Sequence, residues 1–345
     1  MAEHWLRTAA ARDLPLASVM RMSEDRAYTW FYRARWGTGE PVCPFCGVVD
    51  AYRLTRDGKR MNRFRCRDRD CRREFTVTSQ TIFSDRKLPF RKMLAVMALW
   101  VHSVKGKAAL QVCREVGITY RSAWTLLMKL REALAAAQPD KPLEGVVEID
   151  GAYVGGYQRP PNRRQDRLDG RLIENAAPAG RQVVTALRQR PIAGLPDRVF
   201  TTVTPGEVEA YAQDIMTHKA ARDAIIVSDE HPAYARLRRV NPDAIRVRHA
   251  EAYAAGPGLN TNLVESFFGR LRRSVAGIHH RVCGTYLDLY ASSLGWHENT
   301  RRDRFSDKLR SVLAAGVHHP VSRKFCGYWQ GVYPIEPLGW ELPPD

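Results

Sequence analysis

The stretch Val146 to Gly156, VVEIDGAYVGG, constrains this chain most: an apolar run ends in one carboxylate, Asp150, and then in paired glycines. That pattern predicts a buried strand delivering an acid at its tip. A second run, AIIVSD, ends likewise in Asp229, and NTNLVESFFGRLRR reads as an amphipathic helix, from about Thr261 to Val275, with Glu265 in its first turns. Three carboxylates so far apart in sequence, two at strand ends and one on a helix, suit a site for two divalent cations.

The segments between them predict how they meet. Val146 to Ile149, Gln182 to Leu187 and Val199 to Val203 read as consecutive strands. An amphipathic helix, Glu207 to Met216, follows Pro205, and Ala224 to Ser228 reads as a fourth strand. Three strands, a helix and a further strand is the order of an α/β domain with the ribonuclease-H-like fold, in which the first and fourth strands are neighbours and Asp150 lies beside Asp229. A fifth strand, Ile245 to Arg248, precedes the helix that carries Glu265. The thirty-five residues between Asp229 and Glu265 leave room for that helix to cross the sheet. His249, near the end of the fifth strand and before the loop Glu251 to Gly258, is placed either to approach a scissile phosphate or to serve as a structural histidine.

Upstream, Cys43-Pro-Phe-Cys46 and Cys66-Arg-Asp-Arg-Asp-Cys71 form two pairs, with nineteen residues separating Cys46 from Cys66. Four thiolates at such spacing close a tetrahedral Zn2+ shell, although the second pair has four intervening residues instead of the usual two. So small a ribbon buries little core, so the metal holds it folded. The other three of the seven cysteines are isolated, which fits metal binding in a reducing compartment better than a disulfide framework. After a Thr/Ser-rich connector, Ala108 to Val116 and Arg121 to Leu134 form two amphipathic helices joined through Gly117-Ile118-Thr119. That is a helix-turn-helix pattern, in which Tyr120, Arg121, Ser122 and Thr125 face DNA.

Charge agrees. Lysine and arginine total 54 against 37 acidic residues, a net charge of +17, spread along all 345 residues. Such a surface favours a polyanion by counterion release. The N-terminus lacks the apolar core of a signal peptide, and nothing approaches the roughly 20 apolar residues that cross a bilayer. A cytoplasmic protein with no membrane partner is expected.

The ordered motifs now carry a resemblance. The zinc ribbon, the helix-turn-helix, Glu148-Ile-Asp150 followed by paired glycines, Ser228-Asp-Glu-His-Pro-Ala-Tyr234, and Asn262-x-x-Glu265-Ser-Phe-Phe running to Arg272 resemble the DDE transposases of bacterial insertion sequences, in the zinc-ribbon class related to the Merlin superfamily. The resemblance covers roughly residues 25 to 300. It implies that Asp150, Asp229 and Glu265 hold Mg2+ or Mn2+, with Asn262 the runner-up for the third position, and that Arg272 matches a basic position often found on that helix. Many relatives carry a second acid directly after the first aspartate, where this chain has Gly151. The implied activity is cleavage and strand transfer on double-stranded DNA, at transposon ends and target, by a homodimer or larger assembly on DNA. The alternatives are a catalytically inactive DNA-binding regulator or domesticated transposase, and a nuclease on the same fold. The expected organisation is an N-terminal helical segment (1–40), a zinc ribbon (41–80), a helix-turn-helix domain (85–137), a catalytic domain (143–300) and a C-terminal extension (301–345). Glu298, Asn299, Arg301 and Arg302 are expected to cap a helix and touch DNA backbone, and the aromatic tail from Phe325 to pack in extended form on another surface or to form an oligomer contact.

Overall fold

Capping chemistry delimits the first helices. In the computed structural model, which describes residues 5–155, 181–192, 194–247, 260–332 and 339–343, α1 is Leu16–Met20 and α2 is Glu24–Trp36. The Ser23 side chain accepts the Arg26 N–H, Glu24 and Asp25 occupy the first turn, and Arg33 and Arg35 the last. Acids at the start and bases at the end both complement the helix dipole. The chain falls into two units, Met1–Ala137 with Thr300–Ile335 and Gln138–Asn299 with Glu336–Asp345.

In the first unit, β1 (Ala51–Arg56), β2 (Lys59–Cys66) and β3 (Glu74–Phe75) form an antiparallel sheet in the order β1-β2-β3. Too small for a core of its own, this sheet packs Phe64 and Phe75 with Cys43 and Cys66. Three helices follow: α3 (Phe90–His102), α4 (Ala109–Val116) and α5 (Tyr120–Ala136). Every residue of α3 from Met93 to Val101 is buried, as its all-round apolar sequence demands. Gly117, in the left-handed region at φ +63°, ends α4, and the Thr119 hydroxyl accepts the Ser122 N–H to start α5. The short turn expected between these helices is therefore built from caps at both sides.

The second unit contains β4 (Val146–Gly155), β5 (Arg181–Gln189), β6 (Arg198–Thr204), α6 (Glu209–Lys219), β7 (Ile225–Ser228), β8 (Ile245–Arg246), α7 (Asn262–Ser274) and α8 (Gly284–Asn299). Its sheet has the order β6-β5-β4-β7-β8, antiparallel from β6 to β4 and parallel from β4 to β8. Alternation along β4 sorts the two faces. Val147 and Ile149 pack with Ile215 and Met216 of α6, whereas Ala152 and Val154 pack with Phe267, Phe268 and Leu271 of α7. Each of the larger side chains among them contributes roughly 1.5–3 kcal/mol of apolar transfer. The first and fourth strands of this unit are neighbours, as the order of elements predicted. A final helix, α9 (Phe305–His318), returns to the first unit, where the Asp13 carboxylate accepts the Ser306 N–H at 3.0 Å. No described helix is long and apolar enough to cross a membrane.

One expectation for the C-terminal region is corrected. Glu298 is buried and paired with Arg270 at 2.7 Å, and the Asn299 side chain bonds both the N–H and the C=O of Val199. Asn299 thus serves the edge of β6 and Glu298 the arginines Arg270 and Arg188, not DNA backbone. The tail aromatics divide between the units: Trp329 packs against α5, while the Trp340 N–H donates to Val203 C=O at 2.7 Å.

Candidate metal centres and catalytic site

The sulfurs of Cys43, Cys46, Cys66 and Cys71 lie within 4.8 Å of one another. Cys43 and Cys71 are 3.7 Å apart and Cys46 and Cys66 3.5 Å, close to the edge of about 3.8 Å that a tetrahedron with Zn–S bonds of about 2.3 Å requires. None is in a disulfide. The donor set and its spacing fit a structural Zn2+.

The second site grows from the parallel pair β4 and β7. Ile149 and Ser228 are the last residues in parallel register, so Asp229 follows the end of β7 beside Asp150, which stays within β4 and is not at a strand tip as its apolar run suggested, because β4 continues against β5 to Gly155. Asp150 Oδ1 accepts its neighbour's N–H, from Gly151, at 2.8 Å, and Asp229 Oδ1 accepts the His231 N–H at 3.0 Å. By strand alternation Asp150 belongs to the face covered by α7. One turn into that helix is Glu265, which accepts the Thr261 hydroxyl at 2.6 Å.

Burial, and then the charges of Asp229, Glu207 and Glu265, push the Asp150 carboxyl up to about 7 against the lowering effect of the Gly151 N–H. Three carboxylates thus act on a fourth. A site that resists holding its own negative charge is one that a cation relieves. Among the described residues, the cysteines form the group whose ligand atoms all lie within 4.8 Å. The carboxylates share a field without closing to that spacing.

Glu207 is a site residue that periodicity and motif spacing do not reveal. It follows β6 through Pro205-Gly206, its side chain is 7 % exposed, and it accepts the Tyr234 phenol at 2.7 Å. Burial first, and Glu207 next, raise the Tyr234 hydroxyl well above its ordinary value. The signal was Gly151, whose missing side chain leaves the space that Glu207 fills.

Residues 142–299 match the ISXO2-like transposase domain, and residues 22–74 the transposase zinc-ribbon domain. The chain belongs to the zinc-ribbon insertion-sequence transposases. No curated protein matches it. In this transposase, Asn262 is the first residue of α7 and exposed, and its N–H is accepted by the Asn260 side chain. Arg272 is exposed in the last turn of α7, and His249 lies outside the described residues. On α5, Tyr120 and Arg121 are exposed and Ser122 and Thr125 half-buried. The Trp329 indole donates to the Thr125 hydroxyl at 2.9 Å, and the Arg121 guanidinium lies 5.3 Å from the centre of the same ring.

Proposed function

We propose that this transposase cuts and joins DNA through Asp150, Asp229 and Glu265 on a ribonuclease-H-like domain, and that it grips transposon ends through the zinc ribbon and a helix-turn-helix formed by α4 and α5. The observation that carries the reading is the meeting of Asp150 and Asp229 at the end of one parallel strand pair, with the charge of Glu265 acting on Asp150. The oxygen donors fit Mg2+ or Mn2+. Asp150, Asp229 and Glu265 would hold the ions, whose chemistry when bound is to activate an attacking water or 3′-hydroxyl and to stabilise the leaving oxygen.

The chain's own groups do the rest. The Asp150 carboxyl, held up to about 7 without a cation, must give up its proton to become a ligand. The loop after β7 is held by the Asp229 bond to the His231 N–H and by the Glu207 bond to Tyr234. The net charge of +17 attracts the phosphate backbone, and the exposed Tyr120 and Arg121 at the start of α5 are placed for groove contacts. Joining two ends to one target requires a homodimer or larger assembly on DNA, acting in the cytoplasm.

A plasmid assay with end-sequence DNA tests this reading. Wild-type protein with Mg2+ should give strand-transfer products, whereas Asp150→Ala should bind the ends, with affinity falling steeply as salt rises, and yield neither cuts nor joins. Cleavage without joining would identify a nuclease. Binding without either by the wild type would identify a regulator.

A further inference from the structure

Glu148 is a carboxylate with no exposed surface at all, in the middle of a sheet, two residues before Asp150 and on the same face of β4. A charge so placed is costly unless fully bonded. Its bonds all lead to one place. Glu148 accepts the Val264 N–H at 2.8 Å and pairs with the Arg190 guanidinium at 2.7 Å. Arg190 also donates to the backbone carbonyl and side-chain oxygen of Asn260, at 2.5 and 2.9 Å. The buried Arg188, braced by two bonds of 2.9 Å to Asp197, donates to the Leu263 carbonyl at 2.8 Å.

These contacts add to the Asn260 side chain, which accepts the Asn262 N–H at 3.1 Å, in capping the helix. The first N–H groups of α7 need acceptors. Thr261, at the N-cap, makes no side-chain cap bond, and its hydroxyl donates to Glu265. The sheet supplies the acceptor for Val264, the residue directly before Glu265.

We propose that Glu148, with Arg188 and Arg190, is the positioning apparatus for Glu265: it ties the start of α7 to the strand that carries Asp150, so that the spacing of two acids distant in sequence is set through Glu148-Ile-Asp150. The inference rests on the reading of Asp150, Asp229 and Glu265 as the cation ligands. Glu148 itself is a positioning residue, since all its bonds go to protein groups.

The test is Mn2+ binding to the full-length protein, by calorimetry, beside single-turnover end cleavage and end-DNA affinity. Glu148→Gln keeps the shape but loses the charge that serves Val264 and Arg190 together. It should weaken Mn2+ binding about 10- to 100-fold, the loss typical when a group orienting a ligand is removed, and slow cleavage with it, while end-DNA affinity stays unchanged. Leu271→Ala, a cavity farther along α7, is the control for mere destabilisation and should leave Mn2+ affinity within about twofold. Should Glu148→Gln fold poorly, Arg190→Lys, which breaks the guanidinium fork, should weaken Mn2+ binding in the same direction. Wild-type Mn2+ affinity in the folded Glu148→Gln or Arg190→Lys protein, or an equal loss in Leu271→Ala, overturns the inference. Glu265→Gln separates the two levels. If that protein binds Mn2+ like wild type, the ligand reading itself fails; if it loses Mn2+ while Glu148→Gln does not, only the positioning role fails.

Discussion

Gly151 and Glu207 share one space: a Cβ on Gly151 would lie 2.5 Å from Glu207 Oε1. Where many relatives carry an acid next to the first aspartate, this chain has no side chain, and a carboxylate arrives from the segment between β6 and α6. The Glu207 carboxylate cannot simply swing away, because it is buried and holds the Tyr234 phenol. Gly151→Ala should therefore cost about 1–3 kcal/mol, as overpacking does. In a Glu207→Ala background the same change should cost less than about 0.5 kcal/mol, so a denaturant double-mutant cycle reads the shared space directly. Equal costs in the two backgrounds would show that it is not shared.

Zinc removal should act on the ribbon. The cluster around Phe64 and Phe75 is small and built partly from Cys43 and Cys66, so little apolar burial is left once the metal is gone. Protein purified without chelator should contain about one zinc per chain. Cys43→Ser with Cys46→Ser should lose it, together with protease resistance between α2 and α3. Full zinc content in that variant would remove the site from these cysteines.

Asp150 sets a pH dependence with a definite sign. Its carboxyl stands at about 7 in the fold against 3.8 ordinarily, so between these values the folded state binds the extra proton. Without a divalent ion, stability therefore falls as pH rises through that window. Cation binding must displace the proton, so Mn2+ affinity should rise about tenfold per pH unit up to about pH 7 and level off above it. Titrations at several pH values would show this, and Asp150→Asn should abolish the slope. A flat profile in the wild type would mean that Asp150 is not a ligand.

Much of this architecture is legible in the amino-acid sequence. The apolar run that stops at Asp229 announces a strand end, and the order of elements makes its strand a neighbour of β4; the run that stops at Asp150 does not, because β4 continues through Gly155 against β5. Cysteine spacing is equally direct. What the sequence hides is tertiary. Nothing periodic marks Glu207 as a neighbour of Gly151, and a buried ion pair has the same residue types as a solvated one. Glu298 and Asn299 resemble a DNA-facing helix end because charged and amide groups usually sit outside, yet Arg188, Arg270 and the edge of β6 take them inward. Glu148 passes as part of an apolar strand for the same reason.

The third ligand is the sharpest case, since Asn262 and Glu265 lie one turn apart and spacing alone cannot choose between them. Charge and local bonding favour Glu265. Its carboxylate acts on Asp150, and the Thr261 hydroxyl orients it at 2.6 Å. Both residues are exposed, but the Asn262 N–H is taken by Asn260. Two aspartates leave a pair of divalent ions with uncompensated charge, which an anionic ligand lowers more than an amide does. Glu265→Gln should abolish Mg2+-dependent cleavage and joining while folding and end binding persist. Asn262→Ala should only slow the reaction, by less than about tenfold, as expected for a group outside the metal's own ligands. Near-normal strand transfer by Glu265→Gln beside a dead Asn262→Ala would transfer the role to the asparagine.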